Sequence, residues 1–298
     1  MDIKCFEKVS ENIKYNEPMS AHTTFRIGGA ADVFADVLSA YEIKSLIDIC
    51  RENDYPYMVV GNGSNLLVGD KGIRGLVIHI GKNMSEIRAD GEHVYAQSGA
   101  LMSAVAATCL ENELTGFEPM SGIPGTIGGG IFMNAGAYGG ELSQVIETVT
   151  YLDDKGEIVT EKCENLDLGY RHSMFQSKDY VILSCVLKLE KGNKDEIKAA
   201  MADYRSRRNE KQPVTMPSAG STFKRPEGYF AGKLIQDAGL QGYSIGGAQV
   251  SMLHAGFVVN TGGATASDVE NLVRHIQKTV YEKFEVELEP EIRLVGER

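Results

Sequence analysis

The sequence lacks any apolar run approaching the ~20 residues needed to cross a bilayer. Its first residues, MDIKCFEKVSENIKYNEP, lack the hydrophobic segment of a signal peptide, so the expectation is a cytoplasmic protein without membrane insertion. The five cysteines, Cys5, Cys50, Cys109, Cys163 and Cys185, are odd in number, scattered and never in C-x-x-C spacing, which argues against a disulfide framework or a cysteine zinc site. The six histidines nowhere fall at i, i+4 with an acid between them, so no metal is expected. Surplus positive charge is missing too. A formal charge of −11 disfavours nucleic acid, whose phosphates demand a basic surface, and an anionic small ligand would need a local cluster of cations.

What is present is an ordinary globular composition, 43% hydrophobic and 24% charged over 298 residues, long enough for roughly two domains. VFADV (33–37) reads as a strand. Ser39 and Glu42 then stand in capping-box spacing before a helix carrying Ile43, Leu46, Ile47 and Cys50 at helical intervals. YMVV (57–60) completes a strand–helix–strand unit and runs into GNGSNLLVGDKG. This loop is not a dinucleotide fingerprint, because Leu66 stands where the third glycine belongs; nor is there a Walker loop, since Leu234 follows Gly232-Lys233 and Asn83 follows Gly81-Lys82 where Ser or Thr is required. Two readings stay open for 61–65: a plain turn, or a nest of backbone N–H groups for an anion.

A second glycine-rich run follows the expected helix LMSAVAATCLENEL (101–114). SGIPGTIGGGIFMNAGAYGG has glycines at 122, 125, 128, 129, 130, 136, 139 and 140. Glycine costs roughly 0.5–1 kcal/mol relative to alanine inside regular elements. So dense a cluster implies a use for bare backbone, either close approach to a large flat ligand such as a flavin and its pyrophosphate, or a hinge or lid.

Near the C-terminus, Ser267 and Glu270 stand in capping-box positions before a helix to about Phe284, with Val269, Leu272, Val273, Ile276 and Val280 on one face. VELEPEIRL then alternates. Val286, Leu288, Pro290, Ile292 and Leu294 fall on one side of an expected strand, and Glu287, Glu289, Glu291 and Arg293 on the other, which by periodicity alone is a solvated face. Taken alone, Arg171 reads as a surface ion-pair residue and Ser221 as a turn serine.

AHTTFRIGGAADV (21–33), VVGNGSNLLV, PGTIGGGIFMNAGAYGGE, GYRHSMF (169–175), PSAGSTFKRP (217–226) and LEPEIRLVG (288–296) occur in that order. Together they resemble the UDP-N-acetylenolpyruvoylglucosamine reductase family of flavoenzymes over nearly the whole chain. The resemblance implies an α+β protein: an FAD-binding domain of the PCMH/vanillyl-alcohol-oxidase type with two subdomains over residues 1–195, then a C-terminal α+β substrate-binding domain over 196–298. The short stretch between GYRHSMF and PSAGSTFKRP marks the shorter form of the family, without the insertion that carries a substrate-capping tyrosine, so no such tyrosine is assigned.

The reaction so implied is reduction of an enol ether on a sugar nucleotide, UDP-N-acetylglucosamine-enolpyruvate, with NADPH as reductant and FAD as carrier, in peptidoglycan synthesis. Charge must then build on the substrate toward an enolate, which calls for stabilising groups and for an acid to protonate C2. By resemblance Ser221 is that acid, Arg171 pairs with the enolate or its carboxylate, and Glu291 points into the site, its carboxyl kept protonated by burial so that it donates a hydrogen bond. A serine is a poor acid, and Lys224 nearby would ease its task.

FAD is expected at Arg26, Gly28, Gly61, Asn62, Gly63, Ser64, Asn65, Ser121, Gly122, Gly125, Thr126, Gly128, Gly129, Asn134 and Gly136. Substrate is expected at Lys211, Lys224 and Arg225; the family commonly has Asn where Arg225 stands, and an arginine could reach a phosphate instead. Arg205, Arg207 and Arg208 read as a solvated helix face. With no second dinucleotide fingerprint, NADPH and the sugar nucleotide would use one cleft in turn. An oxidase on the same flavin fold, or a nucleotide-binding protein without turnover, remain as alternatives.

Overall fold

The computed structural model describes residues 3–298, which divide into two compact units. The first comprises 3–14, 33–62 and 76–207, and the second 15–32, 63–75 and 208–298.

In the first unit the strand–helix–strand reading holds. Ala30–Asp36 leads to the helix Ala40–Glu52, whose Ser39 hydroxyl accepts from the Glu42 amide, and the chain returns as Tyr57–Val60. That helix buries Ile43, Leu46, Ile47 and Cys50, the i, i+3, i+4, i+7 stripe of the apolar pattern. The two strands are not neighbours. Ile73–His79 lies between them, parallel to Tyr57–Val60, with Tyr57 opposite Leu76 and Val60 opposite His79. A five-stranded antiparallel sheet forms the rest, in the order Ile158–Lys162, Ile146–Leu152, Val181–Lys188, His93–Gln97, Ile87–Asp90. Its buried face packs Val94, Val149, Cys185 and Leu187 with Met102, Val105 and Cys109 of the helix Met102–Glu111.

The second unit has a core of Leu234, Ile235, Val250, Val258, Leu272 and Ile276, together with Phe25, Ile27 and Leu67 from the two earlier segments. A small sheet runs in the order Ser244–Ile245, Ala248–Val250, Val258–Asn260, and the long helix Ala266–Phe284 buries Val269, Leu272, Val273, Ile276 and Val280 as the sequence pattern requires. Its cap differs from the expectation. Thr265 and Asp268, not Ser267 and Glu270, make the reciprocal capping box, and the Asp70 carboxylate takes the amides of Ala266 and Ser267 and the Ser267 hydroxyl. Burial alone would raise the Asp70 carboxyl, but those three donors hold it below its ordinary value.

The C-terminal strand is also shorter than its pattern. Only Arg293–Val295 forms a ladder, parallel to Leu66–Val68, with Arg293 opposite Leu66. The preceding stretch still alternates in burial at Leu288, Glu289, Glu291 and Ile292, but Pro290 is exposed. Proline lacks the N–H that a continuous ladder needs.

Candidate active site

The second glycine run is not an open loop. Thr126 caps a short helix, Ile127–Phe132, by accepting from the Gly129 amide at 3.3 Å. Several of its glycines are required by protein atoms. A Cβ on Gly128 would lie 1.8 Å from Ser98 Oγ, one on Gly130 would lie 2.9 Å from Leu142, and one on Gly136 would lie 2.6 Å from the Gly140 carbonyl. Gly61, at the end of its strand, has Thr126 Oγ1 at 2.5 Å from where its Cβ would be. Gly129 differs: the nearest atom to its Cβ position is Thr126 Oγ1 at 3.5 Å, and the residue is exposed. Gly139, at φ +87°, likewise has nothing within 4 Å of its Cβ position, so Gly129 and Gly139 leave room on their bare backbone, whereas Gly128, Gly130 and Gly136 also make room for the fold itself.

Each unit carries amide donors suited to an anionic cofactor. Among the described residues, the amides of Gly63, Ser64, Asn65, Gly122 and Thr126 donate to no protein group. Ser121 is turned inward, its hydroxyl donating to the Glu118 carbonyl at 2.7 Å, and the Gly125 amide donates to Ile123. Gly63 has φ +60°, and a Cβ there would sit 2.1 Å from the His22 carbonyl oxygen. Gly28 has φ +137° and packs on Val68, while Arg26 is exposed at φ +56° with its amide donating to Thr23. The turn carrying Arg26 is fastened by the Thr24 hydroxyl to the Ser218 carbonyl at 2.7 Å.

Arg171 occupies the tip of a tight turn between Gly169 and His172, at φ +54°. Its guanidinium stands 5.0 Å over the Tyr170 ring and donates to the Gly136 carbonyl at 3.3 Å. Asn134, fully buried, holds this turn from below by donating to the Gly169 carbonyl at 3.0 Å and accepting from the Ser143 amide at 2.9 Å. Gln176 donates to the Arg171 carbonyl at 3.0 Å. Asn134 and Gly136, both expected at the cofactor, thus join the glycine run to Arg171, and the Asn134 amide is committed to protein.

In the second unit Ser221 and Glu291 meet through one residue. Thr222, 1% exposed, accepts the Glu291 amide at its carbonyl (2.8 Å) and the Val258 amide at its hydroxyl (2.9 Å), and donates its own amide to Gly256 (2.9 Å). Phe223 bridges to Pro290, and the Lys224 amide donates to Glu289 at 2.8 Å, so the two segments run side by side. Asn65 joins them, its side chain donating to the Glu291 carbonyl at 3.1 Å and its own carbonyl accepting the Arg293 amide. Ser221, Glu291 and the loop around Gly63 are therefore one construction. Arg171 belongs to the other unit.

The cations expected at the substrate are variously engaged. Lys224 pairs with Glu289 at 2.6 Å, so its charge is matched there rather than left to ease ionisation of Ser221. Arg225 lies 4.0 Å over the Phe230 ring, its Nε donating to the Tyr229 carbonyl at 3.3 Å. Lys211 is exposed at the end of the helix Lys194–Lys211. Sequence reading missed Thr222, His254 and Gly256; only the dense SMLHAGF, between two short strands, marks the last two. Among the described residues no group of His, Cys, Asp and Glu is placed to hold a metal, and no helix is long and apolar enough to cross a membrane.

Two family models match the chain: an FAD binding domain over residues 31–161, and the C-terminal domain of UDP-N-acetylenolpyruvoylglucosamine reductase over 212–295. The reductase of Agathobacter rectalis is 54% identical across 95% of this chain and 93% of its own length, and that of Clostridium novyi 51% across 96% and 93%. The crystal structure of the reductase from Thermus caldophilus superposes with a TM-score of 0.82 at 35% identity, covering 93% of this chain and 97% of that one. The fold class is accordingly α+β, an FAD-binding domain followed by the reductase C-terminal domain. Matches of this extent and identity make the chain a member of the UDP-N-acetylenolpyruvoylglucosamine reductase family.

Proposed function

We infer that this protein reduces the enolpyruvyl ether of UDP-N-acetylglucosamine-enolpyruvate to UDP-N-acetylmuramate in peptidoglycan synthesis, using NADPH through FAD. Family membership supports the reaction; the joining of Ser221 to Glu291 through Thr222 is the observation that carries the assignment of residues. Bound FAD supplies hydride transfer from NADPH to the terminal vinyl carbon. We assign its binding to Arg26, Gly28, the loop 61–65, and the run Ser121, Gly122, Gly125, Thr126, Gly128, Gly129, with Asn134 and Gly136 behind it. Each unit offers unclaimed amides to an anion, Gly63, Ser64 and Asn65 in one and Gly122 and Thr126 in the other, at no desolvation cost to a side chain.

The chain's own groups manage the charge that builds on the substrate. The Arg171 fork, oriented by Gly136, pairs with the enolate or carboxylate. Glu291, fixed by its amide on Thr222, donates a hydrogen bond to the enolate, and Ser221 gives its hydroxyl proton to C2. A serine can do so because an enolate carbon is a strong base, which makes the step downhill only at that point of the reaction. Lys211, Lys224 and Arg225 meet the nucleotide. The cofactor is held mainly by residues 1–195 and the sugar nucleotide by 196–298, in a cytoplasmic enzyme.

Anaerobic mixing tests this. NADPH bleaches the flavin and the enol ether restores its colour; in Ser221→Ala the first step keeps its rate and the second slows by ~10²–10⁴-fold. A colourless purified protein, or equal slowing of both steps, overturns the assignment.

A further inference from the structure

His254 lies outside every motif used above, yet its ring ends a relay that leads to Ser221. The ring lies against two glycines. A Cβ on Gly232 would stand 3.0 Å from His254 Cε1, and one on Gly256 would stand 2.9 Å from the same atom and 3.0 Å from Nδ1. Phe257 meets it edge-on at 5.1 Å, and the Ser251 hydroxyl accepts the His254 amide at 3.3 Å. His254 Nδ1 accepts the Gly256 amide at 3.0 Å. Accepting at Nδ1 requires that nitrogen to be unprotonated, so the ring is neutral with its proton on Nε2. Burial also pushes the imidazole below its ordinary value.

Gly256 in turn accepts the Thr222 amide at 2.9 Å, the peptide that follows Ser221 directly. A glycine has no Cβ to limit its backbone angles, so the direction of the Gly256 carbonyl is set by the bonds on either side of it, that of its own amide to the imidazole among them. Phe257 adds a second tie, its amide donating to the His254 carbonyl at 3.0 Å. The imidazole and the two peptides beyond it form an unbroken path from a half-buried ring to the residue beside Ser221.

We propose that His254 is a positioning residue for Ser221: its neutral ring fixes Gly256, Gly256 fixes Thr222, and Thr222 sets the aim of the Ser221 hydroxyl for protonation of C2. This rests on the proposed function. It separates the two half-reactions, because only the reoxidising one uses Ser221.

The test compares His254→Phe, which keeps a flat ring against Gly232 and Gly256 but has no acceptor, with His254→Asn, which keeps an acceptor oxygen. Both are measured as FAD-loaded enzyme by anaerobic stopped flow. We expect flavin bleaching by NADPH within about twofold of the parent in both, reoxidation by the enol ether ~10-fold or more slower in the Phe variant, and recovery of most of that loss by Asn. In a Ser221→Ala background, His254→Phe then adds less than about twofold, since its effect runs through the missing hydroxyl. Reoxidation at the parent rate in the Phe variant, equal slowing of both half-reactions, or an undiminished effect in the Ser221→Ala background overturns the proposal. A parent that the enol ether fails to reoxidise overturns the proposed function instead. Should the Phe variant not fold, or the parent not turn over, nitrogen NMR of the parent decides: the proton is expected on Nε2 with Nδ1 accepting, and an Nδ1–H tautomer overturns the relay.

Discussion

Between Ser121 and Gly140 in the first unit, the path of the chain is kept by removing side chains; between Ser221 and Arg293 in the second, it is kept by one buried threonine. In the glycine run, Gly128, Gly130 and Gly136 each lie where a Cβ would strike a neighbour. In the other, Thr222 ties two segments to its own, the stretch 256–258 by its amide and hydroxyl and Glu291 by its carbonyl. The first device fails by steric collision and the second by an unsatisfied polar group. The proposed catalytic side chains, Ser221 and Glu291, sit on the second, where a hydroxyl and a carboxyl need aiming; the proposed cofactor run uses the first, where open amides would be the functional groups.

The largest break in that comparison is expected at Gly128. Alanine there must displace Ser98 from 1.8 Å, and overpacking of this kind costs about 1–3 kcal/mol, more where backbone cannot yield. Gly128→Ala is expected to lower the thermal midpoint by several degrees and to release FAD, read by a melt and by the flavin spectrum. Thr222→Val tests the other device: it leaves the buried Val258 amide without an acceptor, at about 1–3 kcal/mol, and also slows reoxidation by the enol ether. A Val variant melting with the parent would show that the hydroxyl bond carries little.

Gly129 sharpens the contrast between room for protein and room for ligand. Its Cβ position meets nothing closer than 3.5 Å, so Gly129→Ala is expected to stabilise the apoprotein by roughly 0.5–1 kcal/mol while weakening FAD binding. A stabilised variant with unchanged FAD affinity would remove the cofactor from that face of the helix.

The smallest effect is electrostatic. Asp70 has its folded value held below the ordinary carboxylate value, so its contribution is present above about pH 4 and is lost as pH falls through the lowered native value. The gap in thermal midpoint between parent and Asp70→Ala should therefore narrow between about pH 6 and about pH 3. A gap that is constant with pH would assign the cap to the helix's own Thr265 and Asp268.

The sequence was most legible where structure is local. Ser39, Glu42 and four apolar residues at helical spacing specify the helix Ala40–Glu52 because cap and stripe lie within thirteen residues. The long helix Ala266–Phe284 was legible in its face and misread by two residues at its cap, since Thr265–Asp268 and Ser267–Glu270 offer the same spacing and only tertiary packing chooses. The same limit applies to VELEPEIRL. Alternation marks extended chain, but whether a partner strand runs beside it is decided by Leu66–Val68, more than two hundred positions away. The motif glycines could be read as meaningful, yet not for what, because Ser98 and Leu142 are remote in sequence from the backbone they crowd. Thr222 was invisible for the same reason: Val258 lies 36 residues away, and a lone threonine beside a motif serine carries no signal.

That threonine has a dynamic consequence. The amides of Val258 and Glu291 end on Thr222, and its own ends on Gly256, so none of the three is exposed to solvent deuterium unless the others' anchor lets go. Ser221 and Glu291 thus ride on a single cooperative element. Isotope exchange at these three sites should keep one common clock, and a ligand that slows one should slow all.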